Sequence, residues 1–222
     1  MSEASIAKVL EKYVPCAAVA ICCQWIVRYN IHVRITRSRA SKFGDYRPLK
    51  EGGGHRITIN HDLNQFAFLI TFVHEVAHLI AETKYKKSIS PHGKEWKSEF
   101  SLLLHYLLMQ NIFPSELIPV LKGYAVDPVA SSCSDLNLLR ALRKYDKKEQ
   151  QHIQHLEDLP NKTLFRLCSS RSGMIFRKGE LIRTRFHCQE IATKREYVVS
   201  PLAEVVVHEV PQEGLQLQVS GM

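Results

Sequence analysis

Among six cysteines (Cys16, Cys22, Cys23, Cys133, Cys168, Cys188) the chain has no Cys-x-x-Cys pair. Two are adjacent and the others scattered, which suits reduced, mostly buried thiols in a cytoplasmic protein. Gly52-Gly53-Gly54 is followed neither by Gly-Lys-Ser/Thr nor by an immediate helix, so it is no phosphate loop. Internal repeats and long low-complexity tracts are lacking too. The apolar run from Val14 to Val27 is shorter than a membrane span, is broken by Gln24, and has no basic leader or cleavage site. It is expected to be a buried helix begun by Pro15, and no membrane partner is expected. Acids are the scarcer charge, 22 Asp and Glu against 30 Lys and Arg, giving a net charge of +8 over 222 residues. That length can bury a proper core as one large or two small domains.

What the chain does contain is His74-Glu75-Val76-Ala77-His78, followed by His92-Gly93-Lys94-Glu95-Trp96. Two histidines four apart on a helix share one face, so both imidazoles can reach one metal ion. Glu75 sits beside them without taking a coordination position, which suits a base acting on a metal-held water. Phe66, Leu69, Ile70, Val73, Ala77 and Ile80 supply the apolar stripe of the helix, with the metal residues beside it and Asn60 or Asp62 as its cap. The third ligand is expected to be His92, in the turn-forming stretch Ser90-Pro91-His92-Gly93, with Glu82, Glu95 and Glu99 as competitors. The spacing predicts one Zn²⁺ ion held by His74, His78 and His92, an open fourth position and hydrolytic chemistry.

Residues 4–29 are expected to be helical, and 31–36 and 55–60 alternate as half-exposed strands do. A helix from Trp96 to Asn111, a helical turn between Pro114 and Pro119, and a helix from Asp135 to about Tyr145 follow. Residues 146–161 have no apolar period and read as a linker. Beyond it, short strands at 164–167, 174–176, 181–186, 197–199 and 205–207 predict a small all-β module over 162–222. The fold class expected is therefore α+β, with a metallopeptidase domain over 1–145. Residues Arg56, Ile57, Thr58, Ile59 and Asn60 are the candidate sheet edge for an extended substrate.

Basic residues concentrate twice. Residues 162–195 carry nine Lys and Arg against Glu180 and Glu190, and residues 28–50 carry seven against Asp45. Arg37, Arg39, Lys42, Arg177, Lys178, Arg183 and Arg185 are the candidate nucleic-acid contacts, with solvated strand faces as the plain alternative.

From Arg37 to Phe100 the chain resembles the SprT family of zinc metallopeptidases, Spartan among them. The resemblance rests on Arg39, Gly44 and Tyr46, on Ile57-Thr58-Ile59-Asn60 with Leu63-Asn64, on the His-Glu-x-x-His segment, and on His92-Gly93-Lys94-Glu95-Trp96. It implies a zincin-like fold, His92 as third zinc ligand, and a zinc-dependent endopeptidase that cleaves peptide bonds, with DNA-associated proteins as candidate substrates and DNA as candidate partner. Tyr46 is a candidate oxyanion donor. Some bacterial members end in a zinc ribbon; here Cys168 and Cys188 stand alone at the two candidate knuckles, so a ribbon-like module without its metal is expected. The rival classes are a DNA-associated binding protein with a structural zinc site, and a zinc amidase acting on a non-protein substrate.

Overall fold

The computed structural model of the chain describes residues 3–39, 42–50, 53–85, 90–129, 135–147, 153–170 and 172–208. Gly52, Lys86, Lys87, Cys133, Arg171, the expected linker's residues 148–152 and the last fourteen residues of the expected β module lie outside them. The fold is α+β, with six α-helices and two sheets among the described residues, and the chain divides into two compact units, Met1–Gln151 and His152–Met222.

The first unit opens with α1 (Glu3–Leu10) and α2 (Cys16–Arg28). The stretch expected to be helical over 4–29 is interrupted at residues 11–15, and the buried helix expected to be begun by Pro15 is α2, because Pro15 cannot continue a helix and instead precedes the next. Strands β1 (Ile31–Thr36), β2 (Gly44–Pro48) and β3 (His55–Asn60) form a sheet in the order β1-β3-β2, β3 running parallel to β1 and antiparallel to β2. This overturns the expectation that Arg56, Ile57, Thr58, Ile59 and Asn60 form an edge. They are the central strand, hydrogen-bonded on both sides, and β1 and β2 are the edges. Ile57 and Ile59 are fully buried beneath the helix that follows.

That helix is α3 (Gln65–Tyr85). Its cap is neither Asn60 nor Asp62 but Asn64, whose Oδ1 accepts from Phe66 N at 3.1 Å and Ala67 N at 3.0 Å. Asn64 Nδ2 donates in turn to Leu142 O at 2.9 Å and Asp146 Oδ1 at 2.6 Å. Asn60 holds the loop before β2 instead, accepting from Arg39 and donating to the carbonyls of Arg39 and Lys42. Helix α3 is long and apolar enough to cross a membrane by composition, but 78% of its apolar window is buried inside this unit. It is the core helix, enclosed almost all round rather than along one stripe. Helices α4 (Lys94–Leu108), α5 (Ile118–Val126) and α6 (Leu136–Arg143) complete the unit. Asp135 caps α6 as expected, accepting from Leu138 N.

The second unit is an antiparallel sheet of β4 (Leu164–Leu167), β5 (Phe176–Ile182), β6 (Arg185–Glu190), β7 (Glu196–Val199) and β8 (Val205–Val207), in the order β7-β6-β5-β4-β8. A 3₁₀ turn at Leu156–Asp158, within the stretch expected to be linker, buries Leu156 and Leu159 in this sheet's core with Phe165, Phe176, Phe186 and Cys188. Cys188 lies mid-strand opposite Lys178, so it occupies no hairpin knuckle.

Candidate metal centre

Helix α3 brings His74 and His78 to one face, and the turn before α4 returns His92 over them. The three Nε2 atoms form a triangle with sides of 3.2 Å (His74 to His92), 3.2 Å (His74 to His78) and 2.9 Å (His78 to His92). A tetrahedral ion with metal–nitrogen distances near 2.0–2.1 Å needs its ligand nitrogens about 3.3–3.4 Å apart, so the triangle fits. The chemistry fits as well. Burial, then the charges of its two partners, would drive the His74 pKa down to about 2; burial, then His92, would lower His78 to about 4; burial lowers His92. Three neutral rings cannot satisfy one another through three converging nitrogens, whereas a cation accepts all three lone pairs. These three form the one such cluster among the described residues, and they could hold a metal ion.

His92 reaches this place at a backbone cost. Ser90 to Gly93 is a turn closed by Gly93 N to Ser90 O at 2.9 Å, and His92, its third residue, has φ of 89°. That region suits glycine or asparagine, and a histidine held there costs on the order of 1–3 kcal/mol. Trp96, in the first turn of α4, anchors the rings. Fully buried, it donates from Nε1 to the His74 carbonyl at 3.3 Å, and its ring centroid lies 4.6, 5.3 and 4.7 Å from those of His74, His78 and His92. His74 Nδ1 is buried with no hydrogen-bond partner among the described residues, so packing against Trp96 rather than a polar partner fixes that ring.

Glu75 is buried beside the triad, 6% exposed. Strand β2 passes directly over it: a β-carbon at Gly44 would fall 2.5 Å from Glu75 Oε1 and 2.7 Å from Thr71 Cγ2. The Tyr46 backbone N–H donates to the carboxylate. Burial first, and then the Asp45 charge, push the Glu75 pKa up to about 8 against the pull of Lys42, the Tyr46 amide and Arg39. The competing ligands stand apart from the triad. Glu99 accepts from Lys84 at 2.8 Å and Tyr85 at 3.0 Å, and Glu82 faces Tyr46.

The other candidates divide. The Tyr46 hydroxyl is engaged with His55 Nδ1 at 3.1 Å, and burial, then Glu82, raise its pKa. Arg39 is bound to Asn60 Oδ1 at 2.8 Å and Thr58 Oγ1 at 3.2 Å, and Lys42 pairs with Asp45 at 2.7 Å. Lys178 is 3% exposed, with its ammonium over the Phe186 ring and donating to the carbonyls of Glu157 and Leu159. It stabilises the second unit from inside and is closed to nucleic acid. Arg37, Arg177, Arg183 and Arg185 are exposed. Sequence reasoning missed the anchoring role of Trp96, although an aromatic one turn after the His92 turn was a usable signal. The close passage of β2 at Gly44 had no signal of its own.

Comparison of the chain with family models, curated proteins and solved structures gives no match.

Proposed function

We propose that the chain is a zinc-dependent endopeptidase with a zincin-like, SprT-type first unit, hydrolysing peptide bonds. The observation that supports it best is the pairing of three converging imidazoles with a buried carboxylate that takes no part in their triangle. A purely structural zinc site is closed by four protein ligands and has no use for a base, whereas three ligands and a free Glu75 suit catalysis. A zinc ion held by His74, His78 and His92 would supply Lewis acidity and water activation at neutral pH. Glu75 is then the base: its carboxylate takes the proton from the attacking water and returns it to the leaving amine. The Tyr46 amide and the close seat at Gly44 hold Glu75 in one orientation. With β3 enclosed, β2 is the edge beside Glu75, and a substrate in extended form would pair with it.

The test is hydrolysis of casein and of the chain itself by zinc-loaded protein, beside Glu75→Gln, with metal content measured for both. The expected result is one equivalent of zinc in each and cleavage only by the parent. Equal cleavage by both removes Glu75 as base, and metal bound without any cleavage favours the structural site.

A further inference from the structure

Tyr46 is engaged at both ends, and each end meets a carboxylate of α3. Asn60 N donates to Phe43 O at 2.9 Å and Leu49 N to Gly54 O at 2.9 Å, one bond at each end of β2. Bonded and open pairs alternate in an antiparallel ladder, so Gly44, Tyr46 and Pro48 turn their backbone groups away from β3. The Tyr46 N–H is thereby free to donate to Glu75. Glu75 and Glu82 are seven residues apart in the helix, so they lie on one side of it, about 10 Å apart along its axis. Tyr46 spans this interval from amide to hydroxyl. Its hydroxyl is bonded to Glu82 and to His55 Nδ1, the latter at 3.1 Å.

The protons of this group add up in one way. A carboxylate only accepts, so the Tyr46 hydroxyl donates to Glu82 and accepts from the Nδ1–H of His55. Burial agrees with both assignments. It lowers the His55 pKa against the pull of Glu82, which leaves the ring neutral, and it raises that of Tyr46, which keeps the hydroxyl proton. The neighbouring cations do not make this tie to α3, because Lys42 and Arg47 both close on Asp45. We propose that Tyr46 is a positioning residue for the base: its hydroxyl, held by Glu82 and His55, sets β2 so that its amide meets the Glu75 carboxylate. Glu82, which stands apart from the triad, then acts on the reaction through Tyr46. The hydroxyl is committed to this hold rather than to an oxyanion on the substrate. The effect on catalysis rests on the hydrolysis proposed above, whereas the hold on the amide does not.

The experiment compares the zinc-loaded full chain with Tyr46→Phe, Glu82→Ala and Glu82→Gln by two readouts. The first is amide hydrogen exchange at residue 46, followed by NMR of isotope-labelled protein, which requires no cleavage. Exchange there should be about fivefold to tenfold faster in Tyr46→Phe and Glu82→Ala, as for one hydrogen bond lost, with Ile57 and Ile59 unchanged as the control for unfolding. Glu82→Gln keeps an acceptor oxygen and should bring the exchange back toward the parent. The second readout is hydrolysis of a quenched fluorescent peptide. In Tyr46→Phe and Glu82→Ala kcat should fall on the order of tenfold with KM unchanged. The double variant should be no slower than either single one, since both break the same chain of contacts. Parent-like exchange at residue 46 in Tyr46→Phe would overturn the assignment, whether or not the chain hydrolyses peptides. So would a fall in kcat confined to Tyr46→Phe with Glu82→Ala at the parent rate, because the hydroxyl would then act on the substrate directly. If the parent cleaves nothing and the amide still responds as expected, the hydrolysis reading fails and the hold on the amide stands.

Discussion

His92 and Gly44 show how single residues set the geometry of the centre. His92 occupies the turn position where glycine or asparagine would rest without strain. Replacing it by Asn should therefore leave the metal-free fold as stable or stabilise it by about 1 kcal/mol, while removing one ligand and weakening metal binding. Thermal melting of chelator-treated protein, with metal titration beside it, checks both halves. Gly44 acts by having no side chain. A methyl group there meets Glu75 Oε1 and Thr71 Cγ2, so Gly44→Ala must turn the carboxylate away from its place. Displacement of a catalytic group by an ångström costs on the order of 10²-fold in kcat, and zinc content should not change, because no ligand is touched. Peptidase assays with metal analysis separate this outcome from loss of the site.

At the level of elements, α3 and its sheet explain what could be read from the chain. The stripe Phe66, Leu69, Ile70, Val73 and Ala77 announced a helix, and the spacing of His74, Glu75 and His78 within it announced a metal-binding face. Strand neighbours were not legible. Alternation in residues 55–60 reports that one face is buried, but says nothing of which strand lies on either side, so a central strand and an edge look the same. Asn60, Asp62 and Asn64 were all chemically able to cap α3, and only the tertiary contacts of Asn60 with Arg39 and of Asn64 with Leu142 decide between them. Lys178 illustrates the same limit: in the sequence it is one more cation, and in the sheet it lies beneath the surface.

The burial of α3 also gives the metal-free protein a defined pH response. Its histidines have lowered pKa values, with His74 at about 2 and His78 at about 4, while Glu75 is raised to about 8. Between pH 8 and the ordinary histidine range near 6.5, folded Glu75 holds a proton that the unfolded chain has released, so stability rises as pH falls. Below about 6.5 the unfolded histidines take up protons that the folded ones refuse, and two or more histidines outweigh the one glutamate. These groups place the maximum of stability near pH 6.5, with a fall toward pH 4. Urea unfolding of chelator-treated protein at pH 8, 6.5 and 4.5 should show that order, and a steady rise from 4.5 to 8 would contradict it.

On the scale of the whole molecule, the candidate ligands His74, His78 and His92, with Glu75 and Trp96, lie in the unit Met1–Gln151, which has its own continuous core. A chain ending at residue 151 should therefore fold, bind one equivalent of metal and keep the circular-dichroism signature of its helices. Loss of metal binding on this truncation would mean that the second unit supports the centre. Ending the chain earlier has a different consequence, which follows from Asn64. One side of its amide starts the helix of His74 and His78, and the other is held by Leu142 and Asp146, some eighty positions later in the chain. During synthesis the chain emerges from its N-terminus, so His74, His78 and His92 leave the ribosome well before the residues that anchor their helix. The candidate metal centre is thus complete in composition before it is complete in support, and firm retention of an ion there would have to wait for residue 146.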